Sequence, residues 1–196
     1  MIFYIFCDTL YANCETVTIK SRKLKMSDSL PLCSFYLLSY NQSNFIEEAL
    51  HGAFSQDYPN LEIIISDDNS TDDTWEKIQN FVKSHSTGHK IIMNRNQKNM
   101  GICGHINHVI SLAHGEYIIA SAGDDISLPQ RTSNCVKEFL ANPSATLVHS
   151  NFQTVDESGK IISSGRKEGR KEGRTEGRKE GRKSYRLFDG IPEKYI

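Results

Sequence analysis

From Leu32 onward the chain alternates short apolar runs with stretches in which apolar residues recur every three or four positions. The run Leu32 to Tyr40 predicts a buried strand, and Phe45, Ile46, Ala49, Leu50 and Phe54 predict the apolar face of a helix. Asp57-Tyr58-Pro59-Asn60 is turn chemistry, and Leu61 to Ile65 is a second run apolar enough for a strand covered on both faces. Ser70-Thr71-Asp72-Asp73 has the form of a capping box, a hydroxyl followed three residues later by an acid. It predicts a helix start ahead of Trp75, Ile78, Phe81 and Val82. Lys90-Ile91-Ile92-Met93 predicts a third strand, and Ile102, Ile106, Val109, Ile110 and Ala113 a third helix. His114 is expected at its cation-favouring end, with Gly115 as a left-handed stop. Tyr117-Ile118-Ile119-Ala120 is a fourth strand, Val136, Phe139 and Leu140 mark a helix after Leu128-Pro129, and Thr146 to Ser150 follows the Asn142-Pro143 break as a fifth strand. Strands alternating with helices of this length predict an α/β fold, a doubly wound, mostly parallel sheet with helices on both faces.

The pattern fails at both ends. Residues 1–29 show no clear period and contain the basic run Lys20 to Lys25 before Met26. They are expected to be an N-terminal extension, with Met26 as an alternative start. Residues 165–183 are a charged GRKE repeat without an apolar side chain. Glycine at every fourth position disfavours helix by about 1 kcal/mol each, so a disordered or frayed arm is expected. Residues 184–196 regain Tyr185, Leu187, Phe188 and Tyr195 and are expected to be a truncated tail, which leaves residues 30–164 as the folded domain.

Charge sharpens this division. The formal net charge is -1, but residues 165–183 carry nine Lys/Arg against four Glu, a balance of +5 that leaves -6 for the rest. An acidic body argues against nucleic acid as a partner, because that binding depends on basic surface displacing counterions. The five cysteines (Cys7, Cys14, Cys33, Cys103, Cys135) form no CxxC pair, which points to a reducing compartment and to neither a disulfide framework nor a zinc knuckle. The apolar start Met1 to Phe6 lacks a basic flank and meets Asp8 too early for a signal peptide or a membrane span.

The candidate chemistry lies at strand ends. Asp67-Asp68 ends the second predicted strand and Asp124-Asp125 ends the fourth, so two strand ends deliver acids toward one crevice. In a parallel α/β sheet ligands bind at that position. Each pair also has a plainer role as a helix cap. His105 and His108, three apart on one helix, have no acid or cysteine pattern near them and are expected to be surface residues rather than ligands.

Taken in order, these residues resemble the inverting, nucleotide-sugar-dependent glycosyltransferases of family 2, with the GT-A fold. Pro31 to Ser34 leading to Ser39-Tyr40-Asn41 resembles the family's first strand and its T-Y-N ending. Phe45 to Leu50 and Ser55 to Ile63 resemble its first helix and second strand, and Asp67 to Thr74 its D-D-G-S-x-D segment. Asn99-Met100-Gly101, Asn107, Gly115 to Ile118 and Asp124-Asp125 complete the run. The resemblance covers residues 30–164 and implies a Rossmann-like half that binds the donor.

It also implies roles. Asp68 would accept a hydrogen bond from the nucleotide base, Ser39, Tyr40 and Asn41 would line the nucleoside pocket, and Asn99 and Gly101 would shape its far wall. Asp125, helped by Asp124, would hold a divalent cofactor, Mg²⁺ or Mn²⁺, which takes hard oxygen ligands and often only one or two carboxylates beside phosphate oxygens. The implied partners are a nucleotide-sugar donor and a saccharide or lipid-linked saccharide acceptor. The implied location is the cytoplasm, with peripheral association at the inner face of the membrane compatible with such an acceptor. Two departures matter. The tripeptide in the place of the family's D-x-D motif is Ala122-Gly123-Asp124, acidic at one end only, and no acceptor-side acid is identifiable as catalytic base. An inactive nucleotide-sugar-binding remnant therefore stands as an alternative. A receiver- or phosphatase-like pocket is disfavoured because the first strand ends in Ser39-Tyr40-Asn41, and no GxGxxG follows a strand to suggest a dinucleotide.

Overall fold

The computed structural model describes residues 3–6, 30–156, 160–165 and 184–192. The elements, in chain order, are β1 (Phe3–Phe6), β2 (Cys33–Ser39), α1 (Ile46–Phe54), β3 (Leu61–Asp67), α2 (Thr74–Ser84), β4 (Lys90–Arg95) and α3 (Gly101–Leu112). They continue with β5 (Tyr117–Ala122), β6 (Asp125–Ser127), α4 (Arg131–Ala141), β7 (Leu147–Asp156), β8 (Ile161–Gly165) and β9 (Ser184–Pro192).

Strand order among the described residues is β4-β3-β2-β5-β1-β7-β9-β6, with β8 on β7. From β4 to β7 neighbouring strands are parallel, whereas β7 pairs antiparallel with β8 and β9. This is the doubly wound α/β architecture that the alternation predicts. Successive residues of each central strand enter different cores. Phe35, Leu37, Ile63, Ile65, Tyr117 and Ile119 pack with α1, α2 and α4, while Tyr36, Leu38, Ile64, Ile118 and Ala120 pack with α3. A strand covered on both faces is apolar at most positions, which is why these segments read as runs rather than alternations; buried exceptions such as Ser34, Glu62 and Ser66 have hydrogen-bond partners.

The ends differ in detail from the pattern. β1 lies between β5 and β7, so part of the segment set apart as an N-terminal extension is inside the sheet. Past the repeat, the backbone of Ser184–Pro192 pairs with β7 and, in parallel, with β6. Residues 166–183, expected to form a disordered arm, lie outside the described residues.

Three local expectations are corrected. α2 begins at Thr74, four residues past Ser70, and its N-cap residue Asp73 makes no side-chain cap bond; Ser70 Oγ bonds Asp67 instead, and Asp72 Oδ1 accepts from Thr74 N, the first of the helix, and from Thr74 Oγ1. α3 ends at Leu112, so His114 is not in its last turn. Gly115 is not left-handed either; a Cβ there would sit 2.5 Å from Ser34 N, and glycine is required by this close backbone approach.

Candidate functional site

The register sets the C-terminal ends of the central strands level with one another. Leu38 pairs with Ser66 on one side and with Ala122 on the other, and Ser39 pairs with Asp67, which pairs in turn with Arg95. Ser39-Tyr40-Asn41, Asp67-Asp68 and Gly123-Asp124-Asp125 therefore leave adjacent strands at one edge.

The two carboxylates at the end of β3 are used differently. Asp67 is fully buried and both of its oxygens are engaged. Oδ1 accepts from Ser39 Oγ at 3.4 Å and from Ser70 Oγ, while Oδ2 accepts from Ser70 N at 2.9 Å and lies 3.4 Å from Arg95 Nε. Asp67 ties the loop to the sheet. Asp68 holds its Oδ1 on Asn96 Nδ2 at 2.7 Å and on Met100 N at 2.9 Å, ahead of the start of α3, and no described donor is bonded to its Oδ2. Its backbone N–H donates to Ser39 O at 2.9 Å, which locks the ends of β2 and β3 together.

The loop after β2 is laced to the loop after β3. Asn41, at φ 52°, donates its N–H to Ser70 Oγ and accepts from Thr71 N on Oδ1; Gln42 N donates to Thr74 Oγ1 and Ser43 N to Asp72 Oδ2. Burial pushes the Asp72 carboxyl up, but the bonds from Thr74 and Ser43 outweigh it and hold the group below its ordinary value. Asn69, at φ 61°, occupies the position of the family motif's glycine; asparagine is among the few residues that tolerate this left-handed conformation. The lacing leaves Tyr40 projecting from the edge, 45% exposed.

Beneath Asp68 lies a buried polar network that the sequence patterns did not show. His105 is buried, contrary to its expected surface position, with Nε2 2.7 Å from Ser66 Oγ. Asn94 Nδ2 donates to that same hydroxyl and to Asn96 Oδ1, which connects the network to Asp68. Ser66 Oγ accepts from Asn94 Nδ2 and also meets His105 Nε2, and burial lowers the His105 pKa. The signal available was the spacing of His105 next to Ile106 and four residues before Val109, both of which are buried against the sheet.

Asn99, in the loop before α3, and Gly101, the first residue of α3, are both exposed. Gly101, at φ 68°, donates its N–H to Asn99 Oδ1, so both residues shape the loop that brings Met100 N to Asp68. A depression of about 690 Å³ opens nearby, lined by Asn94, Asn96, Lys98, Met100 and His108 among others. None of Asp68, Asp124 or Asp125 lines it, so it lies beside the acid edge rather than over it.

At the end of β5, Gly123 N donates to Leu38 O at 2.7 Å, and the turn then presents Asp124, partly exposed, and Asp125, buried. Ala122 packs in the α3-side core, where a carboxylate would be desolvated. Among the described residues no group of three or more His, Cys, Asp or Glu side chains forms a metal cage. Two adjacent carboxylates remain a fitting donor set for Mg²⁺ or Mn²⁺ that completes its shell with phosphate oxygens and water.

The family model for glycosyl transferase family 2 matches residues 34–191. The chain belongs to this family. Its family 2 domain is 34% identical over 147 residues to chondroitin synthase of Escherichia coli, covering 75% of this chain and 20% of that protein. It is 33% identical over 123 residues to the Escherichia coli UDP-Glc:alpha-D-GlcNAc-diphosphoundecaprenol beta-1,3-glucosyltransferase WfaP, covering 63% of this chain and 47% of that protein. The chain thus spans between a fifth and a half of these relatives' length. In fold it is similar to the mannosyltransferase PcManGT from Pyrobaculum calidifontis, solved with GDP-Man and Mn²⁺, at a TM-score of 0.53 and 24% identity over 67% of this chain and 38% of that one. No helix among the described residues is long and apolar enough to cross a membrane.

Proposed function

We propose that this family 2 domain binds a nucleotide-sugar donor across the C-terminal edge of its sheet, as the donor-side part of an inverting sugar transfer. The observation that carries this is the level register of three adjacent strands, which brings Ser39-Tyr40-Asn41, Asp68 and Asp124-Asp125 to one edge. Asp68, fixed through Oδ1, offers Oδ2 to a base N–H. Ser39 and Asn41 hold the loop from which the exposed Tyr40 ring lies against the nucleoside, and Asn99 and Gly101 close the far wall. Asp125 and Asp124 are the residues to hold Mg²⁺ or Mn²⁺, which when bound neutralises charge on the departing diphosphate.

In an inverting transfer the acceptor hydroxyl attacks the anomeric carbon as the nucleoside diphosphate leaves from the opposite face, and a base takes the hydroxyl proton. No residue of the chain is assigned that last role. A missing general base costs a factor of about 10² to 10⁴ in rate, and an unoriented acceptor costs more. The 196-residue chain alone is therefore expected to bind donor and transfer it very slowly. The acceptor class is a saccharide or lipid-linked saccharide, supported by the WfaP likeness, and the location is cytoplasmic with the inner membrane face as the meeting place.

The test measures nucleoside diphosphate release across a panel of sugar donors and acceptors, alongside equilibrium binding of the same donors. Binding with little acceptor-dependent release is the expected outcome. Robust acceptor-dependent release shows that a base is present in this chain, and failure to bind any donor defeats the proposal.

A further inference from the structure

Among the largest fully buried side chains is Arg131, the first residue of α4. A guanidinium costs several kcal/mol to bury unless its N–H groups are met by acceptors. The acceptors it meets lie around one feature. Nη2 donates to Ala120 O on β5 at 2.7 Å, Nη1 to Ser127 Oγ on β6 at 2.9 Å, and Nε to Ser150 Oγ on β7 at 3.3 Å. Its carbon Cζ lies 6.0 Å from the centre of the Phe35 ring on β2.

Ala120 and Ser127 bracket the turn Ala122-Gly123-Asp124-Asp125. A single planar group therefore grips the chain before the acids and again after them. β6 is also paired along its length with β9 and packs against α1. A Cβ on Gly52 would lie 2.8 Å from Ser127 N and O, and Gln56 Nε2 donates to Leu128 O at 2.9 Å. Those contacts seat β6 on β9 and on the helix, and neither element pairs with β5. The guanidinium fork spans that gap, with fixed geometry that lysine cannot reproduce.

We propose that Arg131 is a positioning residue for the acid pair: it fixes Asp124 and Asp125 relative to the β2 and β3 ends, and so sets affinity for a divalent cation with diphosphate without touching either. This rests on the donor-binding reading above. The base-binding side, built from Ser39 to Asn41, Asp68 and Asn96, is held by separate bonds and is predicted to be indifferent to Arg131.

The test uses the full chain with UDP, GDP, CDP and TDP as probes, each titrated calorimetrically with and without Mn²⁺, and with the corresponding nucleosides alone. For Arg131→Gln and Arg131→Lys, the Mn²⁺-dependent gain in diphosphate affinity should fall by about tenfold or more, the usual effect of losing a group that orients metal ligands. Nucleoside affinity should stay within about twofold. Unchanged Mn²⁺ dependence in a folded variant overturns the proposal, as does an equal loss for nucleoside and diphosphate. If both Arg131 variants fail to fold, Ser127→Ala decides: a smaller loss confined to the Mn²⁺-dependent gain supports the proposal, and an unaltered gain overturns it. A parent chain that binds none of the diphosphates defeats the donor-binding reading itself, and this inference with it; a parent that binds while the variants match it defeats only this inference.

Discussion

The two ends of the central sheet handle buried acid in opposite ways. At the N-terminal end Glu62 on β3 accepts on Oε1 from Ser34 Oγ and His114 N, both at 2.7 Å, and meets Lys90 Nζ at 3.4 Å through Oε2. Gly115 closes that end against the Ser34 backbone with no space for a methyl group. At the C-terminal end of the same strand, Asp67 is equally satisfied, but Asp68 keeps an oxygen without a described donor and Asp124 reaches the surface. A buried carboxylate with both oxygens engaged is a fastener. Asp68, buried too, is held through Oδ1 and has no described donor on Oδ2.

Substitutions should separate these roles by size. Gly115→Ala should be the most damaging, costing about 3 kcal/mol or more, because backbone rather than a flexible side chain must move. Urea denaturation measures it, and a loss under 1 kcal/mol would show that the closed end is softer than its geometry. Asp67→Asn should cost about 2 kcal/mol, since a buried network loses its charged acceptor. Equal destabilisation by Asp124→Asn would erase the contrast between fastener and ligand group.

The smallest effects are in pH. Burial raises the Glu62 carboxyl, but the His114 and Ser34 bonds and the His114 and Lys90 charges bring it below its ordinary value. Its contribution is therefore complete above the ordinary carboxyl range and is lost as pH falls through the lowered folded value. Glu62→Gln should remove that part of the acid slope. His105 titrates in the other window. Burial lowers its pKa, so the unfolded chain takes up the proton first, and stability should fall as pH drops from about 6.5 toward the folded value. A pH series of melting temperatures, with His105→Gln as the variant that flattens it, checks this.

The central strands were legible because a strand buried on both faces is apolar at nearly every position, and Leu61 to Ile65, with Glu62 as its one polar residue, and Tyr117 to Ala120 read as such runs. The acid pairs were legible as chemistry. What separated Asp67 from Asp68 was not, since identical side chains one position apart differ only in where a three-dimensional loop sends Ser70, Asn96 and Met100. The start of α2 was misplaced for a related reason. Ser70 and Asp73 carry the residue types of a capping box, but Ser70 Oγ bonds Asp67 and Asp73 makes no side-chain cap bond. Arg131 gave no signal, because its acceptors, Ala120 O, Ser127 and Ser150, come from three strands joined only by the fold.

The most direct measurement is a calorimetric comparison of the parent chain, Asp68→Ala and Asp125→Ala, each titrated with a nucleoside and with its diphosphate, in the presence and absence of Mn²⁺. Asp68→Ala is predicted to weaken nucleoside and diphosphate by a similar factor of about tenfold, the worth of one charge-assisted hydrogen bond. Asp125→Ala is predicted to leave the nucleoside unaffected and to abolish the Mn²⁺-dependent part of diphosphate binding. Two folded variants that bind both ligands as the parent does would show that the acid edge is not where the donor sits.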